Sequence, residues 1–117
     1  MKILKTYNQI FEGYKLSDLS VGDYVILKAP DHIPGFSENQ YKVSKYFFSH
    51  NVGVITGFDG GDIFVKFYNE PSVISTYLFN EKHEVTAELS DILYHDTDSD
   101  KLIRSLSILE KEKKFNL

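Results

Sequence analysis

Residues 51–71 read NVGVITGFDGGDIFVKFYNEP, and the fold class turns on this stretch. Val52, Val54 and Thr56 alternate with Gly53, Ile55 and Gly57, the period of a strand with one buried face. Beyond DGGD at 59–62, Ile63, Val65 and Phe67 alternate with Phe64, Lys66 and Tyr68 in the same way. Two glycines between two alternating runs predict a tight hairpin, because glycine accepts the positive φ that short hairpin turns require. Strands are expected over 51–58 and 63–69, with Pro71 closing the second. Gly53 and Gly57, read on one face of one strand, predict sharp coiling or close packing by a neighbouring element.

Further strands are expected on both sides. SVISTYLF at 72–79 is rich in β-branched and aromatic residues. In LSVGDYVILKAP at 19–30, Gly22-Asp23 signals a turn, Val25, Leu27 and Ala29 alternate with Tyr24, Ile26 and Lys28, and Pro30 ends the run. Two of the three prolines fall in 30–42, which reads as a long loop, and VSKYFF at 43–48 reads as a strand. A helical turn is expected at 87–91 and a last short strand at 92–95. Ile3, Tyr7, Ile10 and Tyr14 have helical spacing, predicting a short helix over 3–14. Leu102, Leu106 and Leu109 form the stripe of a C-terminal helix over about 98–114.

The GDYV opening followed by the GVI…VKF hairpin resembles a small SH3-like or KOW-like barrel, over residues 20–95. That resemblance implies an α+β chain forming one domain, 1–117. Its expected centre is an antiparallel SH3-like β-barrel of about five strands, flanked by the two terminal helices. The ALYDY-like run and tryptophan pair of peptide-binding SH3 domains are missing, and the chain has no Trp, so that groove does not carry over. The whole chain also resembles short phage and viral accessory proteins that join such a barrel to a C-terminal helix. This second likeness implies no assigned activity; it suggests an accessory protein acting on a host factor.

Composition excludes several function classes. With no cysteine there are no disulfides, zinc ribbons, thiol chemistry or iron–sulfur ligation. A net charge of −4 speaks against general nucleic-acid binding, whose affinity comes from neutralised phosphates. No window approaches a membrane span or a signal-peptide core, so a soluble, cytoplasmic protein is expected, with no membrane partner. No phosphate loop follows the glycines of FDGGD, no Gly-x-Ser-x-Gly occurs, and no cofactor is expected.

The densest group of potential ligands is YHDTDSDK at 94–101. Asp96, Asp98 and Asp100 match positions 1, 3 and 5 of a calcium loop, but Lys101 stands where glycine is required and Ser107 where a bidentate Glu is required. A helix start explains the run with local chemistry alone: Thr97 with Asp100 forms a capping box, and Asp98 or Ser99 are alternative caps. His95 with the aspartates up to Asp100 leaves a weaker reading as a metal-dependent enzyme. None of His32, His50, His83 and His95 has metal-site spacing with another.

The chain carries 8 Tyr and 9 Phe. Tyr24, Phe64, Lys66, Tyr68 and Tyr77 do not share the inward phase of the Val and Ile positions. They form a candidate contact patch for a protein partner. The competing reading is a second small core beneath the terminal helices, whose apolar stripes must pack somewhere. The leading functional reading is a non-enzymatic protein that contacts another protein, with a nucleic-acid-binding barrel of KOW type as the alternative. For that alternative, Lys28, Lys42, Lys45 and Lys66 would have to converge around Tyr46 and Tyr68.

Overall fold

The computed structural model describes residues 2–3, 16–31, 33–104 and 106. In chain order these form β1 (Lys2–Ile3), β2 (Tyr24–Leu27), α1 (Glu38–His50), β3 (Gly53–Asp59), β4 (Asp62–Lys66), α2 (Ser72–Leu78), β5 (Glu84–Ala87) and β6 (Ile92–Asp96). A last helix, α3, starts at residue 99. The expected helix over 3–14 is contradicted at its start, where Ile3 pairs with Tyr94 in a strand; its remainder lies outside the described residues, as does most of 105–114.

The hairpin forms where the alternation places it. Asp59 pairs with Asp62 across the two glycines, and Ile55 with Val65 along the ladder. Only Gly60 takes positive φ (61°), as the first central residue of a type II′ turn does. The register shifts between Ile55 and Gly57, so Thr56 is a bulge and the two glycines fall on opposite faces. Gly53 faces the core, where a Cβ would stand 2.4 Å from Val65 Cγ1 and 2.7 Å from the Phe67 ring. Gly57 sits opposite Phe64 with ordinary room, so the expected close packing holds at Gly53 alone.

Two expected strands are helices. VSKYFF lies inside α1, which starts at Glu38 and so also cuts short the expected loop. Ser37 and Gln40 form a reciprocal capping box: Gln40 N donates to Ser37 Oγ at 3.2 Å and Ser37 N donates to Gln40 Oε1 at 2.7 Å. Ser44, Phe47 and Phe48 then share the buried side at helical spacing. In α2, Ile74 is buried and Leu78, four residues on, packs against the core, while Thr76, which a strand would point inward, is exposed. Burial of the Ile74–Leu78 stripe outweighs the β-propensity of Val73, Ile74 and Thr76.

All strand pairings are antiparallel, in the order β1-β6-β2-β3-β4-β5. Five strands carry the sheet, with the two-residue β1 added at one edge. The sheet is open: among the described residues β5 pairs only with β4, so the expected SH3-like barrel is not formed. The helices give the physical reason. Phe48 from α1 and Leu78 from α2 stand with Val85, Ala87 and Leu27 in one cleft, so helices and not returning strands cover this face of the sheet. The outer edge of β5 is capped with polar groups. Asn80 N donates to Glu84 O at 2.9 Å, Glu84 N donates to Asn80 Oδ1 at 3.0 Å, and Glu88 N donates to Asp91 Oδ2 at 2.9 Å.

The main core lies between the sheet and the α1–α2 layer, with Val25, Ile55, Ile63, Val65 and Phe67 meeting Phe47, Phe48, Ile74 and Phe79. Phe47, Phe67 and Phe79 meet edge-to-face at centroid distances of 5.4–6.0 Å, an arrangement that aromatic quadrupoles favour. Each such ring contributes roughly 1.5–3 kcal/mol by leaving water. On the opposite face of β2 and β6, Leu102 and Leu106 cover Ile26, with Tyr24 and Tyr94 packed beside it. The layers are therefore helix pair, sheet and C-terminal helix.

Candidate functional site

Tyr46 stands on the outer side of α1 and is 65% exposed, yet its ring is held. One turn later His50 stacks on it, with centroids 3.9 Å apart and planes 17° apart. His50 Nδ1 in turn lies 2.7 Å from Tyr46 O and 2.9 Å from Ser49 Oγ. A ring fixed in this way loses little rotamer freedom on binding.

Shallow grooves flank Tyr46. One, of about 470 Å³, has an apolar floor of Leu27, Ala29 and Leu93, with Lys28 and Lys45 at its sides. The other, of about 450 Å³, runs between Lys42 and Val43 of α1 and the Asn69–Pro71 segment that follows β4. Among the described residues, lysines line both grooves and carboxylates line neither. Lys28 Nζ pairs with Asp31 at 2.8 Å and Lys42 Nζ with Glu38 at 3.9 Å, both at exposed positions. The hydrogen bond with Asp31 raises the pKa of Lys28 and lowers that of Asp31. Lys45 makes no ion pair among the described residues.

The structure divides the patch expected at Tyr24, Phe64, Lys66, Tyr68 and Tyr77. Tyr24 is partly buried in the second core. Phe64 and Lys66 are half-buried on β4, and Lys66 Nζ lies 5.3 Å from the centroid of the Tyr68 ring, a cation–π contact. Tyr68 is 72% exposed. Tyr77 lies in the helix layer, its ring edge-on to Phe36 at 5.6 Å. Of the lysines considered for convergence, Lys28, Lys42 and Lys45 gather around Tyr46, and Lys66 stays with Tyr68.

The aspartates near 96–100 act locally. Asp98 N donates to Asp96 Oδ1 and Asp100 N donates to Asp98 Oδ1, each at 2.9 Å. Asp98, not Thr97, is thus the cap of α3. Burial pushes the Asp96 carboxyl up, but the net shift is downward, with the Asp98 N–H and the Lys101 charge among the groups that lower it. His95 Nε2 points away from this run, to Asp23 Oδ2 at 2.7 Å. His83 Nδ1 contacts Glu70 Oε1, and Glu70 Oε2 is buried without a partner among the described residues. Among those residues no group of three or more His, Cys, Asp or Glu is placed to hold a metal ion.

Sequence reasoning missed His50, because reading 43–48 as a strand hides the i,i+4 relation that stacks it on Tyr46. The signal was available in Ser37 and Gln40, a capping box three residues wide ahead of an apolar-periodic run. No family model matches the chain, and no similar protein is found among curated proteins or solved structures. No helix among the described residues is long and apolar enough to cross a membrane.

Proposed function

We propose that the chain is a non-enzymatic binding module that contacts another protein through the surface centred on Tyr46. One observation carries this reading: a largely exposed aromatic ring, held by His50, rises between two apolar-floored grooves. Central aromatic anchors of this kind supply a large share of interface energy. The placement of the acid and imidazole groups supports the non-enzymatic part. His95 is engaged with Asp23, and Asp96 and Asp98 accept backbone N–H groups.

Affinity capture from the lysate of the source cell, followed by mass spectrometry, tests the surface. A partner retained by the wild-type chain should be lost with Tyr46→Ala and kept with Tyr77→Ala, since Tyr77 is comparably exposed at 61% but turned against Phe36. Loss with Tyr68→Ala and retention with Tyr46→Ala would move the contact to the Lys66–Tyr68 pair. Retention in all three variants would end the reading.

A further inference from the structure

The charges around Tyr46 are unlike those of the chain as a whole. The sequence carries 13 Lys and Arg against 17 Asp and Glu, yet Lys28, Lys42 and Lys45 line the two grooves with no carboxylate among the described lining residues. Lys28 pairs with Asp31 and Lys42 with Glu38, whereas Lys45 makes no ion pair among the described residues and feels only the more distant charge of Asp31. Both intrinsic pairs are exposed, and the Lys42–Glu38 pair is long at 3.9 Å. Exposed pairs of this kind contribute little, about 0–1 kcal/mol, so an incoming carboxylate can replace either at small cost.

Each groove also has an apolar floor: Leu27, Ala29 and Leu93 in one, Val43, Phe47 and Pro71 in the other. A ligand that satisfies both features carries carboxylates and an aliphatic or aromatic side chain within a few residues. We infer that the partner presents an acidic segment containing apolar residues, straddling Tyr46 with a carboxylate on Lys45. This inference rests on the docking surface proposed above and names the chemistry of what docks there. A single-stranded nucleic acid would also bring negative charge, but His50 leaves only one face of Tyr46 for base stacking. Its extended phosphate charge would also meet the acidic surplus of the remaining chain.

Selection of a random 12-residue peptide library on the full chain tests the inference without a known partner. Enriched peptides should combine Asp or Glu with Leu, Ile or Phe. Their affinity, measured by isothermal titration, should fall at least about tenfold with Tyr46→Ala, and clearly with Lys45→Glu and with added salt. Thermal melts of both variants should match wild type, since both side chains are exposed. Peptides that bind Tyr46→Ala unchanged, or no enriched peptides at all, would overturn the surface and this inference together. Peptides that need Tyr46 but are neutral or basic, or ignore Lys45→Glu, would leave the surface standing and overturn the acidic assignment. Binding of an oligo-dT probe that is lost with Lys45→Glu would also overturn it, in favour of nucleic acid.

Discussion

Asp23 and His95 join the start of β2 to β6 through a contact of 2.7 Å between Oδ2 and Nε2, both side chains being 12% exposed. The same Asp23 oxygen accepts Ser20 N at 2.9 Å, and the Asp23 carbonyl accepts Ile55 N at 2.8 Å. One residue therefore ties a turn, β3 and β6 together. Asp23→Ala removes both side-chain bonds from a largely buried position, with an expected loss of about 1–3 kcal/mol. Asp23→Asn keeps an acceptor for Ser20 and should cost less. Urea denaturation measures both. An Asp23→Ala variant as stable as wild type would show that the pair contributes nothing.

The hairpin and the core-facing glycine give a contrast among four positions. Gly60 has open space around it but φ of 61°, so Gly60→Val should cost about 1–2 kcal/mol through backbone conformation alone. Gly61, outside the left-handed region, should tolerate Val better. Gly53→Ala drives a methyl group into Val65 and Phe67 and should destabilise by about 1–3 kcal/mol or more, whereas Gly57→Ala, 3.5 Å from Phe64, should be mild. Thermal melts of the four variants test the ranking. Equal costs at Gly60 and Gly61 would argue for positive φ at both.

The hairpin and β2 were legible because each carries its own local signals, alternation with a glycine turn and a proline stop, and a 3-10 turn at Leu89–Asp91 and β6 fall where a helical turn and a last strand were expected. The helices α1 and α2 were not, because VSKYFF and SVISTYLF have the composition of strands, and the force that decides them is burial against strands distant in sequence. The expected barrel failed as a consequence, since two of its strands became the helices that hold the sheet open. At the site, the gathering of Lys28 with Lys42, Lys45 and Tyr46 was conceivable from sequence. It needed the α1 helix to put residues 42, 45 and 46 on one side, and the β2 end to bring Lys28 there.

Glu84 links pH to stability. The Thr56 hydroxyl, followed by the Asn80 amide, holds its carboxyl below the usual carboxylate range. A depressed folded-state pKa means the stabilisation is fully present above the unfolded value, about 4.3, and is lost as pH falls through the folded value. Thr56→Val removes the larger cause. Wild type should therefore exceed Thr56→Val in stability near neutral pH, and the gap should narrow as urea melts are carried well below pH 4. A gap that stays constant into acid would detach Thr56 from the ionisation of Glu84.

The start of α3 provides the last test. Asp98 Oδ1 accepts Asp100 N at 2.9 Å, one of the four N–H groups that a helix leaves unpaired at its first turn. Thr97 is exposed and makes no such bond among those found at this start. Asp98→Ala should cost about 0.5–2 kcal/mol, partly through the lost bond and partly through the lost negative charge at the helix N-terminus. Asp98→Asn should keep the bond and lose only the charge, so it should fall between the two, and Thr97→Ala should be close to neutral. Because Leu102, on the following turn, is fully buried against Ile26, the loss should appear in global unfolding and not only as fraying of α3. Millimolar Ca²⁺ or Mg²⁺ should leave the wild-type melting temperature unchanged, as Asp96 and Asp98 are committed to backbone N–H groups. A larger effect from Thr97→Ala than from Asp98→Ala would reassign the cap, and a metal-dependent rise in melting temperature that disappears with Asp98→Ala would convert the helix start into an ion site.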